Sequence, residues 1–467
     1  MLWATQGFNA ETPTLRKVFY NAVTRTTSVL LLVSPMLSLT QGQAHATTYW
    51  EDLPKNLYYE VGRYLTSKDF KQLRNVSHAW RAGFCDHAHE LVVEQCRELA
   101  LLQDFKRIES LKLKVWSVPS ARELQHIAAL SNLRHVQLVV HKEGCVEDSL
   151  VVMLARCGTL RSFAMLPSDL PKISGQALEE LVTLNALQSL DLRCCFNLTD
   201  ADVATLSRCA TLRSLNLSYC QQLTDQGVVT LSMLTNLSDL SLRYCRRVGD
   251  GGLRALATLT GVTALDLTVC NVSAGVVSAW AGRLRSLRSL TLSDGSYERV
   301  SDATLAAVAD LTSLTRLHLA GCRQATPDGF AAIAEKLTLL TQLDLHHMQM
   351  VSWSWWHFAK QPRCVLRELH LTSCGPVVDD SGLAAVARLK QLHTLKLTRM
   401  WLSDAALQQL CASRSLQHVV LYMCTMLGQR ADGCGGAHFG EEPQLALAGS
   451  EPLQPQPSAE QGCRVGG

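Results

Sequence analysis

Five ionisable residues recur at matching places in three successive stretches: His318 in "RLHLAG", Asp344 and His346 in "QLDLHH", and Glu368 and His370 in "ELHLTS". Imidazoles and carboxylates so gathered can trade protons near neutral pH, hydrogen-bond a polar peptide or ligate a metal ion. Cysteine keeps a phase of its own. Cys195, Cys220, Cys245, Cys270, Cys322, Cys374 and Cys424 each stand three residues after a leucine. The chain has 17 cysteines and no CxxC pair, so the common zinc and thioredoxin spacings are missing. No nucleophile elbow, P-loop, dinucleotide fingerprint or HExxH is present. Chemistry, if any, must come from whatever element presents the His–Asp–Glu set.

That element is a strand. An apolar residue of the pattern L-x-x-L-x-L recurs at Leu111, Val136, Phe163, Leu190, Leu215, Leu240, Leu265, Leu290, Leu317, Leu343, Leu369, Leu395 and Val419, every 24 to 27 residues. In a strand alternate side chains face opposite ways, so Leu215 and Leu217 point inward while Ser214, Asn216 and Ser218 point out. Each rung continues as in "LTDQGVVTLSML", with Val228 and Leu231 at helical spacing. One rung cannot bury its apolar side alone; stacked rungs share a core. The expected fold is an α/β solenoid, a horseshoe of about thirteen strand–helix rungs.

A slot filled once per rung by cysteine, or by Met348 and Met400 in other rungs, calls for a small buried hydrophobe with a weak donor. Inter-rung disulfides would not explain the methionines, so the seven cysteines are read as reduced and structural. Cysteines outside the slot, such as Cys194, have no assignment. These rungs resemble the cysteine-containing leucine-rich-repeat subfamily, most closely in "LNLSYCQQLTDQGV" and "LSLRYCRRVGDGGL", over residues 108–427. The resemblance implies an intracellular protein, often one with an F-box ahead of its repeats.

Residues 51–81 read "EDLPKNLYYEVGRYLTSKDFKQLRNVSHAWR". Asp52 can cap a helix and Pro54 fits its first turn. Leu57, Val61 and Leu65 share one face, and Phe70, Leu73, Val76 and Trp80 share a face of a second helix. So small a unit leaves apolar groups exposed, which marks a partner site. The segment resembles an F-box in Leu53-Pro54, Leu57, Glu60-Val61, Tyr64-Leu65, Asp69-Phe70 and Val76…Trp80-Arg81, with Val61 and Phe70 departing conservatively from the family's Ile and Leu. The resemblance implies docking on the Skp-type adaptor of a cullin–RING ubiquitin ligase through Leu53, Pro54, Leu57, Val61, Leu65 and Trp80. Without it, the segment reads as a plain helical cap.

The expected organisation is a leader over 1–49, the F-box over 50–88, a helical connector over 89–107, repeats over 108–427, and a disordered Gly-, Pro- and Gln-rich tail over 428–467. The leader has several readings. Arg16, Lys17 and Arg25 before "SVLLLVSPMLSL" suggest a secretory signal, with Ala44-His45-Ala46 as a cleavage site, or a mitochondrial leader; the segment also reads as plain disorder, and a start at Met36 would remove most of it. The apolar run is too short for a membrane span. Net charge is +3 and the pI 8.1, short of the basic footprint of a nucleic-acid binder.

Among the outward strand positions, Asp191, Arg193, Asp239, Arg243 and Asp266 form a mixed-charge set that suits a solvated face. His318, Asp344 and His370 align in one column flanked by His346 and Glu368, the expected target site. A flat face splays side chains, so neither metal nor cofactor is assigned. In "MVSWSWWHF" Trp356 is expected in the buried leucine position, with Trp353 and Trp355 either exposed or taken up by irregular packing of the rung. The leading functional expectation is a non-catalytic substrate-recognition subunit of a ubiquitin ligase in the cytoplasm or nucleus. The alternatives are an interaction scaffold, or an exported repeat protein if the leader is a true signal.

Overall fold

Leucine alternation makes the strands. In Gln342–His346, Leu343 and Leu345 are fully buried, while Gln342, Asp344 and His346 are only half-buried. The computed structural model describes Ser67 and residues 85–427, except Lys106 and residues 142–147, 168–172, 294–299, 322–323, 348–353 and 375–379. The adaptor-motif residues Leu53, Pro54, Leu57, Val61, Leu65 and Trp80 lie outside the described residues, as do Cys322, Met348 and Trp353. The chain divides after Cys195 into two compact units.

The first unit holds strands β1 (Glu90–Val93), β2 (Ser110–Val115), β3 (His135–Val140), β4 (Ser162–Pro167) and β5 (Ser189–Asp191), each parallel to the next. Leu111, Val136, Phe163 and Leu190 stand opposite one another in register. Residues 89–107, expected to be a helical connector, instead open with β1 and follow with a 3₁₀ helix, Cys96–Asp104. "ELVV" alternates with period two, and pairing with β2 settles it as strand. The stack therefore begins one rung earlier than residue 108. Ser67 is fully buried here; its hydroxyl donates to the Glu98 carboxylate and accepts from the Glu94 N–H at 3.0 Å.

The second unit holds β6 (Ser214–Asn216), β7 (Asp239–Ser241), β8 (Ala264–Thr268), β9 (Ser289–Ser293), β10 (Arg316–Ala320), β11 (Gln342–His346), β12 (Glu368–Thr372) and β13 (Thr394–Thr398). A short β14 (Trp401–Ser403) precedes β15 (His418–Tyr422) and β16 (Thr425–Leu427). Strands β6 to β13 pair in sequence order and in parallel, β15 follows β13, and β14 pairs β16. A parallel crossover needs a connecting element, and each rung supplies one, as in the helices Asp225–Leu231 and Asp302–Ala309. Burying a leucine side chain is worth roughly 1.5–3 kcal/mol, and the rungs that begin at β1 to β13 each bury several large apolar side chains. The fold class is thus the expected α/β solenoid.

Two repeating devices were not legible as such in the sequence. The residue just before each slot lies in the left-handed region: Cys194, Tyr219, Tyr244, Val269, His347, Ser373, Arg399 and Met423 have φ between 50° and 64°, and Gly321 has 75°. In the second unit that residue's N–H bonds the neighbouring rung at every described joint from Tyr219 to Arg399. Tyr219 donates to Arg243 O, and Tyr244 to Thr268 O, at 2.7 Å; His347 donates to Thr372 O at 2.9 Å. The second device is an aspartate at the start of one helix that accepts from the cap residue of the next rung. Asp200 takes the Thr224 N–H at 2.9 Å and its hydroxyl at 2.5 Å. Asp302 takes those of Thr326 at 2.7 and 2.6 Å. Asp225 takes the Gly249 N–H at 2.6 Å, and Asp250 the N–H and hydroxyl of Ser273 at 3.1 and 2.6 Å. The backbones come close there: a Cβ on Gly252 would sit 2.8 Å from Asp225 Cα, so only glycine fits.

The tryptophans are placed differently from expectation. The helix Ser354–Lys360 puts Trp355, fully buried, into the core beside Phe358, with ring centroids 5.8 Å apart. Trp356 is only half-buried, and the Arg388 guanidinium lies over its ring at 4.9 Å. The inward pair is thus i, i+3 counted from Trp355 rather than Trp356.

Candidate functional site

Parallel register builds the column. His318 on β10 stands opposite Asp344 on β11, and Asp344 opposite His370 on β12. Strands in a sheet lie about 4.8 Å apart, so outward side chains on neighbouring rungs touch. Asp344 Oδ1 is 2.7 Å from His370 Nδ1, and Oδ2 is 3.8 Å from His318 Nδ1. Gln342, two residues earlier on the same face, donates its Nε2 to Oδ2 at 3.1 Å. His346 packs against His318 with centroids 4.6 Å apart and planes tilted by 44°. Thus His318, Asp344, His346 and His370 come together. Glu368 stands exposed in the neighbouring column, opposite Gln342 and Thr394.

Electrostatics follow from this packing. Burial alone would raise the Asp344 carboxyl, but the imidazoles of His318 and His370 outweigh it and hold the group well below the usual carboxylate range. Burial and the neighbouring His318, His347 and His370 push His346 down to about 4 against the pull of Asp344. A carboxylate clasped between two imidazoles offers a polar contact on the strand face. Among the described residues, no three His, Cys, Asp or Glu side chains are grouped to hold a metal ion.

The described slot residues follow the strands at one recurring place in the rungs. Cys195, Cys220, Cys245 and Cys374 are fully buried, Cys270 nearly so, and Cys424 half-buried. Each S–H that is placed reaches back to the last strand leucine of the preceding rung. Cys245 donates to Leu217 O at 3.2 Å, Cys270 to Leu242 O at 3.0 Å, Cys374 to Leu345 O at 3.4 Å, and Cys424 to Leu397 O at 3.2 Å. Burial raises the Cys245 thiol to about 12 and also pushes Cys195 and Cys270 well above the ordinary thiol value. Among the described residues no cysteine forms a disulfide. Met400, 1% exposed, fills the same slot.

The mixed-charge set does not act as one patch. In the first unit Asp191 and Arg193 close on each other, Nε–Oδ1 and Nε–Oδ2 both 3.0 Å. In the second, Asp239 accepts from the Ser238 hydroxyl at 2.6 Å, and Asp266 from the Thr268 N–H and hydroxyl at 2.9 and 2.6 Å. Arg243 instead lies over the ring of Tyr244 at 5.3 Å. Sequence reasoning passed over Tyr219 and Tyr244, although their common offset one residue before the slot was the available signal.

Residues 208–232 and 234–257 match the family model described as leucine-rich repeat. No curated protein matches the chain. Among solved structures, a chain in the crystal structure of the Rad7 and Elc1 complex in yeast is similar at 16% identity and a TM-score of 0.44, covering 83% of this chain and 87% of that one. Among the described residues no helix is long and apolar enough to cross a membrane.

Proposed function

We propose that this leucine-rich-repeat chain is the substrate-recognition subunit of a cullin–RING ubiquitin ligase of the Skp–cullin–F-box type. Residues 51–81 dock on the Skp-type adaptor, and the outward strand face around His318, Asp344, His346, Glu368 and His370 holds the target protein. The observation that carries the reading is the order of two motifs in one chain: an F-box-like segment followed at once by rungs of the cysteine type. The buried bond between Ser67 and Glu98 supports it, because it ties one residue of the motif segment to the first rungs. A target held at a fixed distance presents its lysines to the ubiquitin-conjugating enzyme at high local concentration, so proximity replaces catalysis by this chain. Buried reduced thiols fit the cytoplasm or nucleus.

Replacing Leu53 and Pro54 by alanine tests the reading. The expected result is loss of adaptor and cullin from the purified complex with the repeats still folded by circular dichroism. Wild-type recovery of adaptor by the double variant would refute it. Adaptor binding without ubiquitination of any co-purifying protein would leave an interaction scaffold instead.

A further inference from the structure

Tyr219 and Tyr244 occupy the left-handed position of adjacent rungs, and their rings stack with centroids 4.5 Å apart and planes within 7°. The guanidiniums of Arg243 and Arg246 lie over the Tyr244 ring at 5.3 and 5.8 Å. Arg247, next in the chain after Arg246, donates to Gln222 Oε1 at 2.9 Å. Arg193 has an aspartate two residues earlier to neutralise it, but the equivalent position before Arg243 is Ser241. The corresponding loop positions in the flanking rungs are Gln221, Gln222 and Asn271, all uncharged. The neighbouring carboxylate, Asp266, stands opposite Ser241 and has Oδ1 taken by Thr268. Three cations therefore cluster without a carboxylate partner among the described residues.

We propose that this Tyr219–Tyr244–Arg243–Arg246–Arg247 surface binds an acidic peptide segment of a partner protein, with side-chain carboxylates forked onto the guanidiniums of Arg243 and Arg246. Arginine's planar fork matches a carboxylate in two parallel bonds. The cation–π contacts hold both guanidiniums in place beforehand, which lowers the ordering cost of binding. Nucleic acid fits less well. The tyrosines are stacked on each other and leave no slot for a base between them. The surface lies on other rungs than the His318 cluster and depends neither on that cluster nor on the ligase reading.

The test is fluorescence anisotropy of the full chain with a labelled decapeptide of Asp, Glu and Leu, its Asn and Gln counterpart, and a single-stranded DNA decamer. The acidic peptide is expected to bind, with affinity falling as salt rises. The double substitution Arg243→Gln with Arg246→Gln should weaken it at least about tenfold, with the thermal midpoint unchanged. Arg243→Lys with Arg246→Lys keeps the charge, loses the fork and should bind between the two. Tyr244→Asn, which tolerates the left-handed backbone, should weaken binding several-fold by releasing both guanidiniums. Equal binding of the amide peptide, tighter binding of DNA, or unchanged affinity in the glutamine or lysine double variant would overturn the proposal.

Discussion

Acid acts on this molecule at His346. Its folded-state value near 4 lies below the ordinary 6.5, so between pH 6.5 and 4 the unfolded chain takes up a proton that the folded chain refuses. Stability should be level above pH 6.5 and fall through that window. Asp344, also depressed, adds a loss in the same direction once the pH drops below the ordinary aspartate value of 3.8. Thermal midpoints followed from pH 7.5 to 4.5 should therefore decline, and His346→Gln should flatten the decline; an unaltered slope in that variant would place the proton elsewhere. Replacing His318, Asp344 and His370 by uncharged residues should weaken target capture without touching adaptor recovery. The slot thiols make a second case. Their nucleophile is the thiolate, which burial suppresses at Cys245 and Cys270, whereas Cys411 is exposed. Iodoacetamide at pH 8 should label Cys411 in the native protein well before Cys220, Cys245 and Cys270, and all 17 cysteines after denaturation; peptide mass spectrometry reads both, and an inter-rung disulfide in protein taken from cells would contradict the reduced ladder.

At the scale of the element, the aspartate-to-cap bonds hold rung to rung. Asp200→Ala would strip acceptors from the Thr224 N–H and hydroxyl and should cost on the order of 1–3 kcal/mol in denaturant unfolding. The series is interrupted at the helix Ala274–Trp280, where alanine stands in the aspartate's place before the next cap, Ser301. Ala274→Asp should restore a carboxylate acceptor there and stabilise by about 1 kcal/mol. Val269 is β-branched at φ 60°, a costly choice, and Val269→Asn should raise the thermal midpoint. How far these elements could be read in advance depended on what kind of signal they leave. Alternation of Leu343 and Leu345 around Asp344 fixes which side chains face out, so the His–Asp column could be anticipated from spacing alone. The backbone joint before each slot could not, because Gly321 is the one residue type in it that advertises a positive φ. "ELVV" near residue 90 was too short to separate strand from helix without its partner β2. Trp355 and Trp356 are adjacent, and only the observed start of the helix decides which one turns inward.

For the whole molecule, a rung's stability comes from its own packing and from its neighbours, so position along the stack matters. In the second unit β15 has no fully buried residue, and Val420, Tyr422 and Met423 are 45%, 56% and 57% exposed. Amide exchange should be fastest at β15 and slowest at β8 and β9; uniform protection from β8 to β15 would show a single cooperative unit instead. The left-handed joint carries a different lesson. Its geometry is held by main-chain bonds to the next rung, and the side chains there are as unlike as Tyr, Val, Gly, His, Ser and Arg. A position whose backbone is fixed by the next rung and whose side chain carries no shared packing role, repeated once per rung, works as a row of sockets. Chemical variety can be exchanged there, by drift or by design, while the scaffold beneath stays the same.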